Sequence, residues 1–343
     1  MKVLLTGNRG YIGSVLTPLL QERGHEVIGL DSGLYDDSSL PPIPEPNRQI
    51  RKDTRDTTIE DLEGIEAVIH LAALSNDPLG ELNPGLTEAI NRDAGIRLGE
   101  LAKQAGVKRF VYASSQSMYG VADTNIEIAE ATGDAKNAIT TYARTKWEAE
   151  VALKKMNDDT FTVVCMRPST VFGASPRLRS DIVYNNLVGC AYTTGKIEIK
   201  SDGSPWRPVV HICDVSSAFI AGLEAPATLV GGESFNVGVP NGNYTVRDLA
   251  EAAQQSVPGS TLVFTNEHKD NRSYRVSFTK ILSVLKDYYK PEWNLAKGGA
   301  ELVAFYKQIN FNEVMFRGAD TNRLVQIKKL REEGSIDENL KFV

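Results

Sequence analysis

The stretch VLLTGNRGYIGSVL spaces Gly7, Gly10 and Gly13 three residues apart, directly between an apolar run that reads as a first strand and a periodic run that reads as a first helix. Few segments restrict a fold as much. Glycines at a strand-to-helix junction permit a tight turn and let the backbone approach a pyrophosphate, whose charge then meets the helix N-terminus. Asp31 ends the next strand-like run, EVIGLD, roughly 20 residues further on, where the acceptor for a ribose hydroxyl belongs. An aspartate there accepts from a free 2′-hydroxyl and repels a 2′-phosphate. No arginine follows in DSGLYDD to bind one, so the pattern favours NAD over NADP.

Strand-like and helical runs continue to alternate. KVLLTG, EVIGLD, AVIHLAA and RFVYASS are apolar and largely β-branched or aromatic, with IGSVLTPLLQERG and GIRLGELAKQAG as helical segments, and FTVVCMRP reads as a further buried strand. Continuous apolar strands alternating with helices predict an α/β fold with a doubly wound parallel sheet covered on both faces. Residues 1–166 would form this dinucleotide-binding domain, with segments around 208–220 and 233–250 returning to it. Residues 167–343, where loops rich in Gly, Pro, Ser and Arg break the alternation, would form mainly a smaller, mixed α/β substrate-binding domain. Thr245 and Asp248 resemble a capping box. NRLVQIKKLREEGS reads as a charged surface helix closed by Gly334, and SSLPPIPEPNRQ as a proline-rich surface connection.

Composition excludes several classes. The 343 residues carry a net charge of −6, and no basic block supplies the footprint of a nucleic-acid binder. No run approaches the roughly 20 apolar residues of a membrane span, and the apolar start of MKVLLTGNRG is too short for a signal peptide. Cys165, Cys190 and Cys213 are few, odd in number and far apart, which predicts buried free thiols in a reducing, cytoplasmic compartment. His70 and His211 lie in apolar runs and read as structural. No cluster has metal-ligand spacing, so no metal is expected.

In TTYARTKWEAE, Tyr142 and Lys146 sit four apart, about 5–6 Å between Cβ atoms on one helix face. Upstream, Ser114 and Ser115 follow the apolar end of the strand in FVYASSQSMYG, and the carboxyl end of such a strand opens onto the ligand crevice. With these motifs in order, the chain resembles the extended short-chain dehydrogenase/reductase family, in particular its NAD-dependent nucleotide-sugar epimerases and dehydratases. The resemblance covers nearly the whole length and implies a Rossmann-like fold.

It also implies roles. Tyr11 and Ile12 within the glycine segment, Asp53 and Thr54 in KDTRD, and Leu71, Ala72 and Ala73 in HLAA would line the cofactor. Arg207 in DGSPWRPVVHICDV and Arg272 in DNRSYRVSFTK would reach the substrate diphosphate. Tyr142, Lys146 and Ser115 would be catalytic, with Tyr142 and Lys146 also touching the cofactor. A tyrosine of pKa about 10 is a poor base, but a neighbouring ammonium and an oxidised nicotinamide stabilise its phenolate. The family's 4,6-dehydratases place Asp and Glu just after the catalytic hydroxyl residue. Here Gln116 and Ser117 stand there, neither able to act as acid or base, which favours an epimerase with these side chains facing the sugar. Thr170 in RPSTVFG replaces the asparagine of typical 4-epimerases and leaves the sugar open. The alternatives are an NAD(P)H-dependent 4-ketoreductase of a nucleotide-linked keto-deoxy sugar and, more remotely, a non-catalytic NAD(H)-binding sensor. A homodimer formed through helices including the one bearing Tyr142 is a further implication.

Overall fold

The computed structural model describes residues 1–37, 40–75, 77–132, 138–265, 267 and 273–343. Its centre is a seven-stranded parallel sheet, ordered Glu233–Val237, Thr162–Pro168, Arg109–Ala113, Ala67–His70, Lys2–Thr6, Glu26–Asp31, Arg48–Arg51. The central strands are buried along nearly their whole length, as parallel strands with helices on both sides must be. On one face Leu16 and Leu20 of helix Gly13–Glu22 pack with Phe219 of helix Ile212–Glu224 against Val3 and Leu5. On the other, Leu98 of helix Ala94–Gln104 and Leu153 of helix Thr141–Lys154 pack against Leu4, Val68 and Phe110. The first strand lies inside the sheet, so strand order reverses beside it. A crevice therefore opens where Lys2–Thr6 and Ala67–His70 end.

A second core gathers helices Val183–Thr194, Val246–Ser256 and Leu295–Gln308 around Leu187, Leu249 and Leu302. Small sheets accompany it. Trp206–His211 pairs antiparallel with Asn243–Thr245 and parallel with Thr170–Phe172, while Lys196–Ile199 pairs with Thr261–Phe264. Thr245 starts its helix through a reciprocal box, its Oγ1 accepting from Asp248 N at 3.1 Å while Thr245 N donates to Asp248 Oδ2 at 2.8 Å. No helix among the described residues is long and apolar enough to cross a membrane.

The last helix, Arg323–Glu332, differs from the surface helix expected of it. Gly334, at φ +70°, does close the segment, but Arg323, Gln326, Ile327 and Leu330 are buried. Ile327 and Leu330, with Ile336 and Leu340 beyond, pack against Leu74, Leu79, Leu86 and Ile90 beside the large sheet. Burial at positions 323, 326, 327 and 330 follows the helical period. The arginine and glutamine in that stripe concealed it.

Candidate active site

The glycine turn is a cradle that side chains would fill. A Cβ on Gly7, at φ +73°, would lie 2.9 Å from Ala72 N, and one on Gly13 would lie 2.2 Å from Gly7 O and 2.6 Å from Asn8 Cα. At the end of the second strand, Asp31 accepts from Gly33 N at 2.8 Å and from Arg9 N at 3.1 Å. Burial raises its carboxyl, and these two backbone bonds oppose the rise. Asp53 lies nearby. Burial works against its charge, but the Arg55 guanidinium, at 2.9 and 2.7 Å, holds its carboxyl below the usual value. A cavity of about 610 Å³ runs from Gly7, Asp31 and Thr54 past Ala72 to Ser115 and Tyr142, a size within the range of small-molecule sites. Gly10, Tyr11, Ile12, Leu71 and Ala73 also face it. The Tyr11 hydroxyl itself turns to the second core, donating to Gly173 O at 2.8 Å.

At the far end, the helix Thr141–Lys154 is started by Thr140, whose Oγ1 accepts from Ala143 N at 3.2 Å and donates to Asp77 Oδ1 at 2.7 Å. This aims Tyr142 and Lys146 into the cavity together. Lys146 Nζ donates to Ala113 O at 2.8 Å at the end of the neighbouring strand, and burial pushes its ammonium down to about 7. Burial also raises the Tyr142 phenol, while hydrogen bonding to Ser115 opposes the rise. The remaining influences on Tyr142 are Asp77 and Arg179. Lys146 makes no hydrogen bond to the Tyr142 phenol, its Nζ being turned to Ala113 O. Ser115 accepts from Ser117 N at 3.1 Å and from Ser117 Oγ at 2.9 Å.

Other expected residues divide. Ser117 and Thr170 line the cavity. Gln116 does not. It is 1 % exposed, its Nε2 donating to Arg167 O at 2.9 Å and its Oε1 accepting from Ser169 Oγ at 3.0 Å. The expectation that it faces the sugar is corrected. Ser115 opens a single tight turn, Gln116–Tyr119, in which Gln116, Met118 and Tyr119 are buried, and Gln116 joins two strand ends through Arg167 and Ser169. Arg207 is not on the cavity wall, and its Nη1 donates to Trp206 O at 2.8 Å. Arg272 lies outside the described residues.

Neither histidine is on the wall. His70 Nδ1 meets Thr6 Oγ1 at 2.7 Å, with burial pushing its pKa down to about 3, and His211 Nε2 meets Glu301 Oε2 at 2.8 Å. Cys165 is buried, whereas Cys190 and Cys213 are half-buried, and all three are free. Among the residues passed over in the sequence that line the cavity are Arg179 and Arg323.

A family model described as NAD dependent epimerase/dehydratase family matches residues 3–238. Among curated relatives, a UDP-glucose 4-epimerase of Mycolicibacterium smegmatis is 29% identical over 322 residues, covering 90% of this chain and 99% of its own. A UDP-glucose 4-epimerase of Bacillus subtilis is 28% identical, covering 74% and 82%. A solved structure described as MoeE5 in complex with UDP-glucose and NAD superposes with a TM-score of 0.75 at 27% identity, covering 90% of this chain and 99% of that one.

Proposed function

The chain belongs to the NAD dependent epimerase/dehydratase family, and on that premise we propose that it inverts one carbon of a nucleotide-diphosphate sugar, with a UDP-sugar as first choice. One observation carries the reading. Ser115, Tyr142 and Lys146 open onto the same cavity as the glycine turn and Asp31, so a sugar carbon and a dinucleotide can meet there.

The glycine cradle admits a dinucleotide where any Cβ would intrude, and Asp31 would hold its ribose. Bound NAD supplies a hydride acceptor that becomes a donor again within the same turnover. Burial raises the Tyr142 pKa, and the positive charge of a bound oxidised nicotinamide would lower it. Tyr142 acts as the phenolate, taking the proton of the sugar hydroxyl as that carbon is oxidised to a ketone. Ser115 donates a hydrogen bond to the same substrate oxygen and holds it in place. Lys146, tied to the strand end, keeps a positive charge one helical turn from Tyr142 when protonated. After the keto sugar has turned its other face, Tyr142 returns the proton to the ketone oxygen, leaving the inverted alcohol. Ser117 and Thr170 would face the sugar. Gln116 and Ser117 offer no acid or base for eliminating water, which supports epimerisation over dehydration. Arg207 remains a candidate for the diphosphate on resemblance alone.

A second reading, the NADPH-using 4-ketoreductase, has one observation in its favour. Arg9, Arg51 and Arg177 gather on Asp36, close to Asp31 in the chain. Asp36 occupies all three, and Asp31 would oppose a 2′-phosphate. The test is to denature purified protein, identify any released dinucleotide, and offer UDP-, dTDP-, GDP- and CDP-sugars without added cofactor. NAD release with conversion of one sugar supports the epimerase. Turnover that requires added NADPH would refute it.

The three free thiols are compatible with a cytoplasmic setting. The outer face of helix Thr141–Lys154 is the surface through which a homodimer would form. Sedimentation at monomer mass across dilution would remove that part.

A further inference from the structure

Arg323 opens the last helix and is 4 % exposed, yet it faces the cavity. Its Nη2 donates to Arg177 O at 3.0 Å, and its guanidinium lies 4.0 Å from the centroid of the Tyr35 ring. Among the described residues no carboxylate comes within ion-pairing distance of it. The nearby Asp181 is taken by Arg179, whose Nε and Nη2 reach it at 3.0 and 2.7 Å. Arg179 crosses the cleft as well, with Nη1 3.2 Å from Ser75 Oγ. Burial lowers the Arg323 pKa to about 10, so the protein alone supports this cation poorly. A buried guanidinium without a counter-ion, lining a cavity, calls for an anion.

Its surroundings say which end of the cavity is concerned. Tyr35 follows Asp31 closely in the chain. Leu324 and Leu340, from the same C-terminal segment, line the cavity together with Leu34, Asp53 and Thr54. Arg55 Nη2 donates to Asn339 O at 2.7 Å, and Lys341 Nζ is 2.8 Å from Asp56, which ties the segment to the KDTRD loop.

We infer that residues 322–340 form part of the cofactor site, Arg323 and Arg179 meeting the dinucleotide pyrophosphate while Leu324 and Leu340 wall its adenosine end. The inference rests on reading the cavity as a dinucleotide site. The C-terminal segment is then a strap that lowers cofactor escape, as an enzyme returning its own hydride requires. Lining by apolar side chains suits the base, and a planar fork suits paired phosphate oxygens.

The test compares full-length wild type with Arg323→Gln by titration with adenosine, ADP and UDP, and by the rate of NAD loss after dilution. The expected result is ADP affinity lowered about tenfold or more in the variant and NAD lost correspondingly faster. Adenosine and UDP binding should be unchanged. Unchanged ADP binding overturns the inference, and so does a loss confined to UDP, which would give Arg323 to the substrate. Failure of wild type to bind either NAD or ADP would instead sink the cofactor reading itself. If the variant does not fold, amide exchange of wild type decides. Slowing at 322–326 by ADP supports the strap, and equal exchange with and without ADP overturns it.

Discussion

Tyr142 is half-buried and Lys146 buried on the wall of the cavity, and each responds to burial in its own direction. For Tyr142→Phe we expect kcat to fall by about 10²–10⁴ or more with NAD binding retained, since only the phenolic oxygen is lost. Comparable activity in the variant would dismiss Tyr142 as the base. Lys146 has an unfolded pKa near 10.5 and a folded value of about 7. Between those values the unfolded chain binds a proton that the folded chain does not. Stability from this site is therefore full above pH 10.5 and is lost as pH falls through 7. Lys146→Met should accordingly be more stable than wild type at pH 7, on the order of several kcal/mol, with the gain vanishing near pH 10.5. Thermal unfolding across that pH range measures it, and a gain independent of pH would contradict the assignment. The residue types of this pair were legible in the sequence. The carbonyl that claims the ammonium was not, because Ala113 offers only backbone.

At the scale of elements, one buried pair fixes helix Thr141–Lys154 to the sheet. Glu150, one turn beyond Lys146, receives Arg167 Nη2 at 2.5 Å, Ser114 Oγ at 2.5 Å and Ser234 Oγ at 2.6 Å. Burial opposes the Glu150 charge, and Arg167 and the two hydroxyls hold its pKa below normal nevertheless. Removing one partner strands a buried charge, so Glu150→Gln should cost about 3–5 kcal/mol in chemical denaturation. Replacing both partners with apolar residues should restore much of that loss. An effect below 1 kcal/mol for the single variant would mean the pair is not holding the helix. The elements announced by local chemistry were readable: the glycine turn, the apolar strands and the Thr245 box. The last helix was misjudged because its buried stripe includes Arg323 and Gln326, and Arg323 is placed by Arg177 and Tyr35, more than a hundred residues away. Gln116 failed for a similar reason, its inward turn being set by Arg167, Ser169 and Val237.

Across the whole molecule, the sheet order and the crevice at its reversal follow from the alternation of apolar strands and helices. That part of the architecture is carried by periodicity. How the second core and the C-terminal segment close over the crevice is carried by long-range packing, which no local pattern encodes. For epimerisation, one cavity must hold a sugar carbon against an enclosed dinucleotide, and the hydride removed from that carbon must come back to it. The direct measurement is conversion, without added cofactor, of a UDP-sugar deuterated at the carbon that is inverted. The expected product is an epimer that keeps its deuterium at that carbon. Epimer in which that deuterium has exchanged for solvent hydrogen would contradict return of the same hydride.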